Sequence, residues 1–582
     1  MAIPDRAESQ PLLAEPQQAT TATSAGTFRP RTPSSTSSSS AAAAVAVATS
    51  PSSHKGPSPI RPSARSPTTD HAAGDPRGGR LPSPARSAHS YMSENETVMN
   101  LARAIKEAKR TLRLSLPSIT SYVLSFANRL VVTFMVGHLG ANELAASTLA
   151  VMFGNVAGFS ICFGLSSALD TLASQAVTGA SNPRQAGVFL QRAILINLML
   201  AIPISLLWVF AEPLLRLAHQ DAELSRMAGS YIRIMLVSFA PNIVRDLVAK
   251  FLNAQGIMQA QFYVYLVVLP FNVALQYTLV YLDTPIRLGF YGAAWGSVIS
   301  DIFSALLIIA YAVFISGHQC WQPWSRQALY GWGQYLRLGF PGMLMVCAEW
   351  WMFEIVALIA GVFGARVLAA QSIIINTSSI VYMTYLGISV VNSNRIGNFL
   401  GAGKPMRAKF SAQVSIAMAF VFSLVLGTAV LVFRRQWASL FTNDMDVVAL
   451  TAAVLPVCAL FQFADGGVCV TGGVLRGCGK QHVGAVLNLV AYYVIGLPFS
   501  ALLTFYFDLQ LLGIWLGLAA AQILCYAVQV MYVNSQIDWA SECRVAQQRV
   551  NHNFHVAAVA HGLDEDDDDL IEDEDDDLLL SA

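Results

Sequence analysis

Glu349 and Glu354 lie five residues apart in the run Cys347-Ala348-Glu349-Trp350-Trp351-Met352-Phe353-Glu354, whose other members are apolar or aromatic. A carboxylate in such surroundings is costly unless it meets water, a cation or a hydrogen-bond partner, so an acid retained there is a functional candidate by default. Low dielectric favours the neutral form, which suits such a group to carry a proton reversibly. A spacing of five turns about 140° around a helix, so the two acids cannot share a narrow stripe. Either both line a wide cavity, or one binds and the other braces neighbouring helices. Asp465 is a third acid of this kind, followed by Gly466 and Gly467, where its other role is to brace a helix kink. Trp350, Trp351 and Phe353 set aromatic faces beside carboxylates, a combination that suits flat lipophilic cations. Gln371, Asn376 and Tyr382 offer hydrogen bonds to a ligand, with bonding between helices the simpler role for each.

The elements that position these residues are membrane spans. The chain has 582 residues, is 54% hydrophobic and only 12% charged, with a mean hydropathy of +0.49. An ordinary soluble protein is about one quarter charged. Apolar stretches of the roughly 20 residues needed to cross a bilayer recur twelve times. They fall near 112–137, 143–170, 186–210, 228–252, 260–283, 290–316, 333–361, 367–397, 408–433, 447–474, 482–506 and 510–535. In lipid every exposed backbone group must be satisfied within its own helix. The fold class expected is therefore all-α, a polytopic membrane protein with twelve transmembrane helices in two pseudo-symmetric six-helix lobes.

The two lobes are read from a repeat. Leu112-Arg113-Leu114-Ser115-Leu116-Pro117 returns as Leu336-Arg337-Leu338-Gly339-Phe340-Pro341, an offset of 224. Gly164-Leu165-Ser166 matches Gly387-Ile388-Ser389, and Gln255-Gly256 aligns with Cys478-Gly479. Gly292 and Gly296 match Gly513 and Gly517, so the offset drifts only to 221. Six spans is an even number, which makes the copies a parallel repeat about an axis along the membrane normal. Glu349, Glu354 and Asp465 align with Ser125, Leu130 and Asn242. The expectation is a one-sided chemistry, in which the second lobe titrates and the first completes the cavity. In span four, Arg245, Asp246 and Lys250 read as a structural or gating cluster with an Asp246–Lys250 pair within the helix.

The formal charge is zero, but Asp564–Asp577 holds 12 of the 36 acids and the rest is net +12. Basic residues crowd the segment before the first span and the loops after the eighth and tenth, which by the positive-inside rule puts both termini in the cytosol. Arg434 and Arg435 are exceptions. Residues 1–105 form a Ser-, Thr-, Pro- and Ala-rich tail expected to be disordered, without a signal peptide. The lobes are expected at 106–330 and 331–545, followed by an acidic tail at 546–582. Glu8-Ser9-Gln10-Pro11-Leu12-Leu13 and two acidic-tail segments fit dileucine sorting patterns. The eight cysteines are scattered without a C-x-x-C pair, so neither metal nor disulfide framework is expected. His138, His219, His318 and His482 are isolated. Neither an enzyme nor a cofactor is expected.

The motif set resembles the multidrug and toxic compound extrusion (MATE) family in its eukaryotic branch. The resemblance rests on the run Cys347–Glu354, Arg395-Ile396-Gly397-Asn398-Phe399-Leu400-Gly401-Ala402-Gly403, Gly472-Gly473-Val474-Leu475-Arg476-Gly477, Tyr492-Tyr493-Val494-Ile495-Gly496-Leu497-Pro498 and Leu169-Asp170-Thr171-Leu172-Ala173-Ser174-Gln175-Ala176. It covers about residues 100–540. It implies a central V-shaped cavity and export of organic cations or xenobiotics in exchange for protons. In that family the Asp465 position is typically acidic, whereas many animal members carry glutamate where this chain has Asn376. The partners expected are small organic cations, protons or sodium, the bilayer and sorting adaptors on the tails. No nucleic acid is expected, and the chain is read as a monomer in the vacuolar, lysosomal or plasma membrane. The alternatives are a lipid-linked-precursor flippase, against which the intramembrane acids argue, and a vacuolar metabolite transporter.

Overall fold

Twelve long helices follow the apolar spans in order: α1 Leu101–Gly137, α2 Ala141–Gly179, α3 Gln185–Val209, α4 Ala222–Ala254, α5 Ala260–Val280, α6 Phe290–Ile315, α7 Trp332–Val362, α8 Ala365–Gly401, α9 Pro405–Val432, α10 Met445–Cys478, α11 Gln481–Tyr506 and α12 Gln510–Ser535. The computed structural model describes residues 101–283, 285 and 287–559, with side chains as far as Asn551. The expectations for the N-terminal tail, the acidic tail and the dileucine motifs lie outside the described residues. Among the described residues there is no strand.

Eleven of these helices are long and apolar enough to cross a membrane. The other, α4, has 33 residues, about 50 Å of helix, and so also reaches across. Four of its charges find partners on other elements. Arg233 meets Glu212 at 2.8 Å and Arg245 meets Asp301 at 3.2 Å. Ser166 donates to Asp246 at 2.8 Å, and Lys250 meets Asp170 at 2.9 Å. The Asp246–Lys250 pair expected within the helix is thereby corrected: the Lys250 ammonium pairs with α2, because a partner on a packed neighbour is better desolvated than one four residues along its own helix.

The repeat governs the architecture at several levels. Asp221 and Asp444, displaced by 223 residues, cap α4 and α10 by accepting from the backbone N–H groups two and three residues on. These caps satisfy donors that a helix N-terminus leaves bare. α1–α6 pack around a core that includes Trp208 and Phe239, and α7–α12 around Phe461 and Trp515. The lobes meet through repeat-related crossings. A Cβ on Gly164 of α2 would lie 2.5 Å from Met343 Cα of α7. A Cβ on its repeat partner Gly387 of α8 would lie 2.8 Å from Ile119 Cα of α1, and Ile119 is the partner of Met343. Ser174 and Gly397 are also repeat partners, and they touch each other, which puts the pseudo-twofold axis between them.

Hydrogen bonds between lobes concentrate at the end of the bundle that carries Leu101 and Trp539. There Thr171 donates to Arg476 O at 2.5 Å, Gln175 to Gly477 O at 3.1 Å and Thr178 to Asn398 O at 2.7 Å. Arg395 of α8 binds Thr111 at 2.6 Å and also Glu107, both on α1. A last helix, α13 (Trp539–Val559), runs through the boundary expected at 545. It lies along the same end, with Cys543 and Ala546 in a cluster with Ile396 and Leu400 of the second lobe and Val550 in the core cluster of the first.

Candidate functional site

Glu349 and Glu354 point to different partners, as their angular separation requires. Glu349 is within hydrogen-bonding reach of the Tyr382 hydroxyl on α8 and within electrostatic reach of Arg476. Asp465 on α10 is 2% exposed, senses Glu349, and accepts from Gln522 Nε2 of α12 at 3.0 Å. The glycines after Asp465 permit this depth: Cβ atoms on Gly466 and Gly467 would lie within 2.8 Å of the Tyr385 and Tyr526 rings. Glu349, Asp465 and Tyr382 thus form one polar cluster inside the second lobe.

Glu354, five residues further, faces the first lobe. Its hydrogen-bonding neighbour is Asn155 on α2, at the start of the π-helical segment Asn155–Phe159. Such a segment widens the helix locally and redirects side chains, and often marks a functional position. Trp350 also crosses between lobes, stacked on Phe163 with ring centres 5.8 Å apart. The Lys250 ammonium sits 4.7 Å from the centre of the same Phe163 ring. Trp351 donates to Ser160 of α2 at 3.2 Å.

Two of the sequence candidates lie apart from this group. Gln371 is 1% exposed and its Oε1 accepts from Trp515 Nε1 at 2.8 Å, a bond between α8 and α12. Asn376 donates to Ser372 O of its own helix at 2.8 Å.

The first lobe carries more charge than its repeat alignment suggested. Asp301 of α6 accepts from Asn242 Nδ2 at 2.9 Å, from Ser238 at 3.4 Å and from Arg245 at 3.2 Å. By the 221-residue offset Asp301 is the partner of Gln522, and by the 223-residue offset of Gln255 and Cys478 Asn242 is the partner of Asp465. Each lobe therefore joins its fourth and sixth helices by one acid–amide bond, with acid and amide exchanged between lobes. Arg129 of α1 stands near this pair, within electrostatic reach of Tyr265, Arg245 and Asp301. Sequence reasoning missed Asp301 and Arg129, although the rule that singled out Glu349, a charge inside an apolar span, applies equally to both.

Comparison with known proteins gives a consistent result. A family model described as MatE matches residues 117–278 and again 341–502, both limits displaced by the 224 residues of the repeat. An uncharacterized transporter of Schizosaccharomyces pombe is 34% identical, with 75% of this chain and 80% of that protein covered. Multidrug and toxin extrusion protein 2 of Pongo abelii is 38% identical over 73% of this chain and 75% of its own length. The crystal structure of the eukaryotic MATE transporter AtDTX14 superposes with a TM-score of 0.72 at 28% identity, covering 77% of this chain and 99% of that one.

Proposed function

This chain belongs to the MatE family of membrane transporters, and on that footing we propose that it is a secondary antiporter exporting organic cations and xenobiotics in exchange for protons. The observation that carries the reading is the cluster of Glu349, Asp465 and Tyr382, in which two carboxyl groups sense each other inside the second lobe. Two anions at short range in low dielectric are mutually unfavourable, so the cluster gains by taking up either a proton or an organic cation. The occupants compete, and that competition is the coupling. A proton entering from the acidic side expels the cation, and the neutral cluster then allows the lobes to exchange orientation. Transfer of one proton against one monovalent cation is electroneutral.

Glu354 serves the second half of this cycle. It joins the lobes through Asn155, so its protonation state bears on how tightly α2 and α7 hold together. Trp350 and Phe163 supply the aromatic floor for a flat cation. Gln371 and Asn376, bonded to Trp515 and to α8 itself, act as braces in this reading. The lobes correspond to residues 106–330 and 331–545, and both termini face the cytosol. The bonded end then closes the cytosolic side, and the cleft opens toward the exterior or the lumen of a vacuole or lysosome. The flippase alternative is weakened because Arg245 and Lys250, two of the basic groups in the first lobe, are already neutralised by Asp301 and Asp170.

The test is accumulation of ethidium in proteoliposomes under an imposed pH gradient, repeated with a sodium gradient in its place. Accumulation that follows the pH gradient supports the reading. Accumulation driven by sodium alone, or by neither, overturns proton coupling.

A further inference from the structure

The first turns of α1 have three distinct sides. Arg103, Lys106, Lys109, Arg110 and Arg113 are all exposed, and their spacing gathers them within an arc of about 120° around the helix. Among the described residues none of them has an acid within ion-pair distance, because Glu107, the acid in these turns, is held by Arg395 of α8. Beside the basic arc lie Leu101, Ile105, Leu112 and Leu116, also exposed and within about 60° of one another. The third side faces the second lobe: Glu107 and Thr111 bind Arg395, and Ser115 and Ser118 are buried.

The neighbouring first-lobe helix stops short of these turns. α1 and α5 run side by side in the same direction, with Asn272 donating to Asn128 O at 3.2 Å and Tyr281 donating to Met135 O. α5 starts at Ala260, and the same number of residues counted back along α1 from Asn128 reaches Leu116. Leu101–Ser115 therefore run past the start of α5 by about 22 Å. α1 has 37 residues, about 55 Å of helix, whereas the hydrocarbon core is about 30 Å thick. The surplus falls where the charges are, so the basic turns lie in the headgroup layer and the apolar stripe beside them leads back to the acyl chains.

A basic arc flanked by an exposed apolar stripe, next to a span, is the pattern of a helix that binds anionic lipid. We propose that Leu101–Leu116 of α1 is a binding site for anionic phospholipid, with the headgroup phosphate on the basic arc and the acyl chains along Leu101, Ile105, Leu112 and Leu116. The acidic run Asp564–Asp577 also complements the arc in charge. A polyanionic peptide leaves the apolar stripe bare, however, whereas a phospholipid covers both. Lipid and second lobe then hold different sides of the same turns. The site stands apart from the antiporter reading, and neither needs the other.

The test titrates the full-length protein in neutral detergent micelles with dioctanoyl phosphatidylglycerol and, separately, dioctanoyl phosphatidylcholine, and reads each affinity by microscale thermophoresis. The wild type is expected to prefer the anionic lipid, and the preference to shrink as salt is raised. Arg110→Gln is expected to lower the preference about fivefold. Arg103→Gln, Lys106→Gln, Arg110→Gln and Arg113→Gln combined should abolish it. The charge-preserving set Arg103→Lys, Lys106→Arg, Arg110→Lys and Arg113→Lys should keep it, and thermal midpoints of both sets control for folding. Should the Gln set fail to fold, Arg110→Gln and the salt series decide. Equal affinity of the wild type for the two lipids, or a preference unchanged in Arg110→Gln and in the Gln set, overturns the proposal. Glycerophosphoglycerol, the headgroup alone, binding as tightly as the lipid also overturns it, because the apolar stripe then contributes nothing. A preference that emerges only after truncation at Val559 gives the arc to the acidic tail and overturns it as well.

Discussion

Replacing Lys250 by methionine removes one half of the most buried ion pair described between two spans. The Lys250 and Asp170 side chains are 8% and 4% exposed, and Nζ lies 2.9 Å from Oδ2. At an effective dielectric of about 20, charges at that distance attract by roughly 6 kcal/mol. Desolvation of both ions offsets most of this, so the intact pair contributes little net stability. The asymmetry appears when one partner is removed. Asp170 Oδ1 already has no hydrogen-bond partner, so Lys250→Met strands a carboxylate with neither oxygen satisfied. A stranded buried charge costs about 3–5 kcal/mol. The double variant Lys250→Met with Asp170→Asn removes both charges and should recover most of that loss. Thermal unfolding of the purified full chain in detergent measures the cycle. Each single change should lower the midpoint by roughly 3–5 °C, and the double change by less than half as much. If the singles unfold within about 2 °C of wild type, or the double is as unstable as the worse single, the coupling argument is wrong.

Three further outcomes follow from the same geometry. Gly164→Val and Gly387→Val force side chains against backbone at the two repeat-related crossings, so each should cost about 1–3 kcal/mol. Both should increase maleimide labelling of a Gln175→Cys reporter at the bonded end, and to a similar extent if the crossings are equivalent. Truncation after Gln536 removes α13, which joins Val550 of the first-lobe core to Leu400 and Ile396 of the second. It should raise labelling of the same reporter and accelerate counterflow exchange of ethidium. Gln371→Leu leaves the buried Trp515 N–H unsatisfied and should cost about 1–3 kcal/mol while leaving the relative affinities of different cations unchanged. A changed cation preference would instead make Gln371 a ligand.

Much of the architecture was legible because its signals are local and periodic. Spans and the lobe repeat follow from composition and spacing. α4 was counted as a span despite its charges, and their partners on α2 and α6 explain why a polar helix is stable there. Partners were not legible. Lys250 has an acid four residues away in sequence, yet it pairs with Asp170 because tertiary packing brings that carboxyl into a drier place. The exchange of acid and amide between Asn242–Asp301 and Asp465–Gln522 required two alignments at slightly different offsets and a contact between helices. Comparing Asp465 with Asn242 alone gave a one-sided picture, since the compensating acid sits two helices later at Asp301. The divergence of Glu349 from Glu354 was anticipated by helical rotation, but the π-helical segment that brings Asn155 to Glu354 has no signature in residue type.

The claim that competition at Glu349 couples proton entry to cation export is tested most directly by Glu349→Gln in proteoliposomes, with pH-driven accumulation and gradient-free counterflow of ethidium measured on the same preparation. The account predicts that pH-driven accumulation falls at least about tenfold, the equivalent of 1.4 kcal/mol or more, while counterflow shows the protein still folded and mobile. Accumulation at the wild-type level under the same pH gradient would contradict it.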